Sequence, residues 1–361
     1  MRYAERINQM TVMMERYDLE VIIIMDSINL RYFTGVPGPG LLVITKTTPM
    51  RMHVPPINYE SAEKYCVPDI EIDRTKQNEN LEVVLAHTVA DYERVGIDRV
   101  NGESYQKLLD LMPRTKVTLL HDSILNLRAV KDPEELGLIN EACKISERVM
   151  RSASELLVEG VHESEIKSEI VREIYRRGGE RPAFEPIVAS GEDSSLPHGP
   201  QQTSQRRDRA LKRGDVVVID LGVVVEGYCS DMTRTFVVDR PADPGVLEAI
   251  DAVVKAKQDA ESFLKPGISC SYVDLVARKT LAEKGFEACL IHGLGHGIGL
   301  EVHEPPRLVS GNPENLQEGM VVTVEPGVYI KGTWGIRIED TVLVTERGPQ
   351  RLTDYPLFLE V

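Results

Sequence analysis

Four carboxylates of this chain stand in strand-like runs whose other residues are mostly apolar. In "GDVVVIDLGVVVEGYCSDMTRTFVV" they are Asp220 and Asp231; in "GMVVTVEPGVYI" and "GIRIEDTVLV" they are Glu325 and Glu339. A carboxylate in such a run is destabilising unless a cation or hydrogen bonds compensate it. Between the two pairs lies "HGLGHGIGLEVHE", which sets His292, His296 and His303 among four glycines. Two Asp, two Glu and one His form a set of mostly hard oxygen donors. One divalent ion cannot neutralise four carboxylates. Two ions about 3.5–4 Å apart with bridging carboxylates can, and such a pair is suited to hydrolysis. A single imidazole among oxygens disfavours a structural zinc and suits Mn2+, Co2+ or Fe2+.

Other readings of the His- and Gly-rich run fail on spacing. Position 298 is Ile, so G-x-G-x-x-G is absent, and the Lys of a phosphate-binding P-loop is missing. "HEPPR", from His303 to Arg307, is not H-E-x-x-H, and Pro305 and Pro306 forbid the helix that would align such a pair. What remains is a loop or strand edge where glycine lets the backbone crowd a site.

The elements that must position these groups are legible. Glu226-Gly227 between two β-rich runs is a tight hairpin signal. With the turn centred there, Asp220 lies diagonal to Asp231 on the same face, about 7 Å apart at Cβ. A slip of one residue would send them to opposite faces. Alternation also places Arg337 on the face of Glu339.

Upstream, "RINQMTVMMERYDL", "NLRYFTG", "LEVVLAHTVADY" and "NGESYQKLLDLM" read as helices. They alternate with strands "VIIIM", "GLLVI", "MRMHV", "RVGID" and "KVTLLHD", a pattern that predicts an α/β domain over residues 1–128. Asp132 as N-cap and Pro133 at the first helical position open a second domain, 129–361. Its first long helix runs to about Leu157 and stops at Gly160, and the next stops at Gly178. "LLVEGVHESEIKSEIVREIYRRG" is then echoed by "FLKPGISCSYVDLVARKTLAEKG", with Gly267 and Gly285 as the stops. Ile166 and Val273, and Ile174 and Leu281, keep the same offset. Two α/β halves related by a pseudo-two-fold, with a cleft between them, are expected.

Composition excludes several classes. At 361 residues, 42% hydrophobic and 27% charged, the chain has the make-up of a globular protein of two domains. A net charge of -15 argues against nucleic acid or an anionic membrane as partner. Five scattered cysteines, never spaced C-x-x-C, read as reduced thiols. "MRYAERINQM" lacks the apolar region of a signal peptide, and no run is long enough to span a membrane. A cytoplasmic enzyme is expected.

Taken together, Asp220, Asp231, His296, Glu325 and Glu339, with "HGLGHGIGLEVHE", "TVEPGVY" and "GIRIED", resemble the pita-bread dinuclear metallopeptidases. The resemblance covers the C-terminal half, and the N-terminal half is similar to the creatinase-type domain of the proline-specific members. It implies an α+β pita-bread catalytic domain with internal pseudo-two-fold, two divalent metal ions (Mn2+ or Co2+ foremost) and a homodimer formed through the N-terminal domain. By the same resemblance, Asp220 holds the first metal, His296 and Glu325 the second, and Asp231 and Glu339 bridge both. A metal-bound hydroxide attacks the scissile carbonyl, Glu325 shuttles the proton, and His303 and His198 ("SSLPHGP") stabilise the oxyanion. Arg337 braces a bridging carboxylate, and His292 lies near the substrate.

Arg307, where prolidase-like sequences carry an arginine, suits a bidentate grip on a dipeptide's carboxylate. The implied reaction is hydrolysis of the Xaa-Pro bond in dipeptides. The alternative is an Xaa-Pro aminopeptidase releasing the N-terminal residue of longer peptides. A metal-free binding protein on the same fold is a third reading, against which the intact ligand set argues.

Overall fold

The computed structural model of the chain describes residues 3–46, 49–200, 208–241 and 243–360. They divide into two compact units, Met1–Leu127 and Arg128–Val361. The N-terminal unit begins with α1 (Tyr3–Arg16), β1 (Val21–Ile24), α2 (Ser27–Thr34), β2 (Leu41–Thr45) and β3 (Met50–Val54). It continues with α3 (Tyr59–Tyr65), β4 (Ile70–Arg74), α4 (Leu81–Thr88) and β5 (Arg94–Ile97). Last come α5 (Gly102–Leu111), β6 (Lys116–Leu119) and α6 (His121–Ala129), which runs across the division between the units.

The six strands form one sheet in the order β4-β3-β2-β1-β5-β6. β1 pairs parallel to β5 and antiparallel to β2, so the sheet is mixed. All four residues of β1 are buried, as a central strand covered on both faces requires. Asp26 caps α2 by accepting from the N–H groups of Ile28 and Asn29, and Gly35 ends it at φ 78°. The hydrophobic pattern overlooked α3, β4 and α6. "IEIDR" has no fully buried residue, so β4 carries little apolar signal. The strand expected over "KVTLLHD" stops at Leu119, and His121 starts α6.

The second unit opens with α7 (Pro133–Ser154), where Asp132 and Glu135 form a capping box around Pro133. It continues with α8 (Glu163–Arg176), β7 (Arg181–Pro182), β8 (Ile187–Ser190), β9 (Val216–Leu221) and β10 (Val223–Val225). Next are β11 (Tyr228–Cys229), β12 (Met232–Val237), α9 (Gly245–Glu261) and α10 (Cys270–Glu283). β13 (Gly295–Gly297), β14 (Glu304–Leu308), β15 (Val321–Val324) and β16 (Gly327–Ile330) follow. β17 (Trp334–Arg337), β18 (Asp340–Leu343), β19 (Gln350–Arg351) and β20 (Phe358–Glu360) complete it.

The echo between halves extends to hydrogen bonds. Gly160 donates to Leu211 O and Gly267 to Leu316 O, each at 2.9 Å. The four stop glycines have φ of 93°, 93°, 85° and 86°. Ile166, Ile174, Val273 and Leu281 are all fully buried. Each half has its own core: α7, α8 and β9 enclose one, and α9, α10, β15 and β18 the other. Strands run β12-β9-β8 in one sheet and β18-β15-β13 in the other, so Asp220 at the end of β9 corresponds to Glu325 just beyond β15.

Candidate metal centre

The hairpin has the register expected of a turn at Glu226-Gly227. Val225 pairs with Tyr228, and the same register carries through to Leu221 with Met232 and Asp220 with Thr233. Asp231 is therefore diagonal to Asp220, and both are buried. Glu226 and Gly227 have φ of 44° and 85°, the left-handed pair that a two-residue hairpin turn requires.

The other half supplies the remaining groups. Glu325 leaves the end of β15, its N–H donating to Leu294 O at 2.8 Å. Glu339 precedes β18, its N–H donating to Thr233 O at 3.1 Å, which ties the second half to the hairpin of the first. His296 sits in the middle of β13, whose neighbour Gly295 lies against β15. A Cβ on Gly295 would come 2.0 Å from Thr323 O, so only glycine allows this approach.

The side chains converge. Asp231, His296 and Glu339 each present a ligand atom within 4.8 Å of the others. His296 Nδ1 faces Gly297 O at 3.0 Å, leaving Nε2 directed at Glu325 Oε1 (3.3 Å) and Asp231 Oδ2 (3.7 Å). An Nδ1–H donated to that carbonyl would free the Nε2 lone pair for a bound cation, whereas an Nε2 that carries a proton donates it to Glu325. Asp220 Oδ1, Asp231 Oδ1 and Glu339 Oε1 are buried and accept no hydrogen bond from the described residues. Buried carboxylate oxygens without donors, crowded by further carboxylates and an imidazole, fit a divalent metal.

Electrostatics agrees. Burial, then repulsion from Glu339 and Asp220, pushes the Asp231 carboxyl well above its usual range. Burial, then Glu325 and Asp220, does the same to Glu339. Burial raises Asp220 too, although Arg337 opposes it. Glu325 differs: burial pushes it up, but the contact with His296 outweighs burial and holds it below the usual range.

All ten residues singled out in the sequence line one cavity of about 680 Å³. His303 stacks edge-on against His296 with ring centroids 4.4 Å apart. Burial and the neighbouring His296 and Arg307 depress its pKa to about 4. Arg307, opposite His296 in the β13–β14 pairing, is exposed at the cavity wall. His198 follows Pro197 in the turn after β8, and His292 Nε2 meets Tyr329 Oη at 3.0 Å.

The direct partner of Arg337 is not the carboxylate that alternation puts on its face: its Nη2 donates to Asp220 Oδ2 at 2.7 Å, and it reaches Glu339 only through Thr233. β17 belongs to a separate two-stranded sheet with β16 and ends at Arg337, so strand alternation does not carry to Glu339. The hydroxyl of Thr233 instead donates to Glu339 Oε2 at 2.6 Å, while accepting from Arg337 Nε at 3.2 Å. Arg337 Nη1 also donates to Pro197 O (2.8 Å) and Tyr329 Oη (3.0 Å), joining the His198 turn to the carboxylate cluster.

Thr233 and Tyr329 were not foreseen. Thr233 lies two residues from Asp231 and thus on its face, and Tyr329 ends the quoted "TVEPGVY"; those were the available signals. Lys167 of α8 and Phe184 also line the cavity, with nothing in their local sequence to mark them.

Residues 137–346 match metallopeptidase family M24, and residues 6–130 match the creatinase/prolidase N-terminal domain. The Xaa-Pro dipeptidase of Pyrococcus furiosus is 35% identical over 353 residues, 97% of each chain. The solved prolidase from Pyrococcus furiosus superimposes with a TM-score of 0.88 at 34% identity, covering 95% of this chain and 99% of that one. An X-Pro aminopeptidase from Thermotoga maritima MSB8 gives 0.86 at 32% identity, covering 96% and 99%.

Proposed function

This chain belongs to metallopeptidase family M24, and on that premise we propose that it is a metal-dependent Xaa-Pro dipeptidase. The observation that carries the reading is the clustering of Asp231, Glu325 and Glu339 about His296, with Asp220 in the same cavity, and an oxygen on each of Asp220, Asp231 and Glu339 that accepts no hydrogen bond from the described residues. Asp220 would hold one divalent ion, His296 and Glu325 a second, with Asp231 and Glu339 shared. Oxygen-rich donors with one imidazole favour Mn2+ or Co2+. When bound, such ions lower the pKa of a coordinated water and polarise a carbonyl oxygen.

The chain's own residues supply the rest. Glu325 is placed to accept a proton on its carboxylate and return it to the leaving proline nitrogen. His303, neutral at physiological pH, and His198 present ring N–H groups to the developing oxyanion. Arg307 on the cavity wall is suited to the free carboxylate of a dipeptide. Arg337 holds Asp220 and the His198 turn in register, so ligand and substrate sides keep one geometry. An imide bond before proline has no N–H, and a pocket shaped for the ring selects it without a backbone acceptor.

The test is turnover of Gly-Pro, Met-Pro and Ala-Pro against Ala-Pro-Ala across a panel of divalent metals. Cleavage of dipeptides with little action on the tripeptide is expected. Equal cleavage of Ala-Pro-Ala would replace the dipeptidase reading with an aminopeptidase. The five cysteines are unpaired, in keeping with a reducing cytoplasm, and we assign the N-terminal unit to homodimer formation on family resemblance. No helix among the described residues is long and apolar enough to cross a membrane.

A further inference from the structure

Directly after His303, and outside the residues that line the cavity, lies a cluster of four charges, three of them buried, that the proposed reaction does not use. Glu304 is 1% exposed in its side chain, Arg128 2% and Lys131 1%. Glu304 Oε1 accepts from Arg128 Nη2 and from the backbone N–H of Glu301, the latter at 3.1 Å. Oε2 accepts from Lys131 Nζ at 3.0 Å. Arg128 Nη2 also donates to Glu301 Oε2 at 2.9 Å. Among the described residues two cations meet two anions here, and one carboxylate staples residues 301–304 to the segment entering α7.

The sequence is built to admit this carboxylate. A Cβ on Gly299 would stand 2.5 Å from Glu304 Oε2, so the glycine makes room for the ion pair. Gly299 N–H in turn donates to Glu301 O at 3.0 Å, and Cys229 N–H donates to Gly299 O at 2.7 Å. The 299–304 segment is thereby pinned both to the charge cluster and to β11. His303, one residue away, projects into the cavity against the His296 ring.

Well-packed apolar residues stabilise a core at least as well as buried charges do, so stability alone is a weak reason for this cluster. What charge-assisted hydrogen bonds from three directions add is a fixed geometry. We propose that Glu304, held by Arg128 and Lys131, is a positioning residue that fixes His303 for the oxyanion. The proposal rests on His303 facing substrate, as read above.

The test is a double-mutant cycle in the full-length, metal-loaded enzyme with Met-Pro as substrate. Glu304→Gln should lower kcat by about 10- to 100-fold, the effect of a misplaced catalytic group. KM and bound metal should stay near those of the parent. Combined with His303→Ala, Glu304→Gln should cost nothing further in kcat, because the group it positions is gone. Additive losses would overturn the proposal, as would a fall in metal content that accounts for the lost rate. If His303→Ala alone leaves kcat unchanged, the substrate-side role of His303 fails first and the proposal with it. Should Glu304→Gln not fold, Lys131→Met keeps the Arg128–Glu304 pair and takes its place in the same cycle. A smaller loss that again vanishes with His303→Ala supports the proposal; an additive one overturns it.

Discussion

Removing metal from the full-length protein is expected to lower its melting temperature strongly at neutral pH and weakly in mild acid. The perturbation acts on Asp220, Asp231 and Glu339, whose carboxyls burial and mutual repulsion hold above their usual range. Each binds its proton more tightly folded than unfolded. Its contribution to apoprotein stability is complete below the unfolded pKa and is lost as pH rises through the raised folded value. Glu325 runs the other way: its folded pKa is depressed, so its contribution is present above the unfolded pKa and fades as pH falls through the folded value. At this site three groups oppose one, so the site's own contribution to apoprotein stability falls toward neutrality. Cations that replace those protons restore it there. One site filled at 100 times its Kd contributes about 2.7 kcal/mol, and two independent sites about 5 kcal/mol. At roughly 2–4 °C per kcal/mol for a unit of this size, the shift is on the order of 10–20 °C. Differential scanning calorimetry of chelator-treated protein, with and without excess Mn2+, reads it directly at mildly acidic and mildly alkaline pH. A melting temperature indifferent to Mn2+, or a shift larger in acid, would refute the reasoning.

Three further outcomes follow from individual residues. Asp231→Asn removes one charge from a crowd of buried carboxylates, so the apoprotein should melt higher while the Mn2+-induced shift shrinks. Turnover should drop by more than about 100-fold, beyond what loss of a supporting residue costs; calorimetry and a dipeptide assay check both halves. Arg307→Ala should reduce kcat/KM for Gly-Pro by about 10- to 100-fold, the value of one lost charge-assisted hydrogen bond. Gly-Pro amide, which lacks the carboxylate, should be unaffected in steady-state kinetics. Gly295→Ala would set a Cβ 2.0 Å from Thr323 O, a backbone atom that cannot swing aside. Urea unfolding should show a destabilisation of about 1–3 kcal/mol, and a Mn2+ titration weaker binding through the adjacent His296.

Local chemistry made much of this protein legible before any coordinates. The capping box at Asp132, the glycine stops at 160 and 178, and the turn at Glu226-Gly227 each depend on a few consecutive residues. From that turn the register of the whole hairpin follows, and with it the shared face of Asp220 and Asp231. The carboxylates announce themselves because apolar strands tolerate them only with a cation or hydrogen bonds to compensate.

Contacts between elements were beyond such rules. The partner of Arg337 is Asp220, 117 residues away, because β17 turns out of its sheet before Glu339 and Thr233 fills the place alternation had assigned to the guanidinium. Glu304 finds Lys131 across 173 residues, and nothing near either residue names the other. Side-chain periodicity holds only within one continuous strand or helix. Which charge meets which across two sheets depends on how the halves pack, and that packing decides whether a buried carboxylate keeps an oxygen without a donor among the described residues, as Asp231 does, or is saturated by protein donors, as Glu304 is.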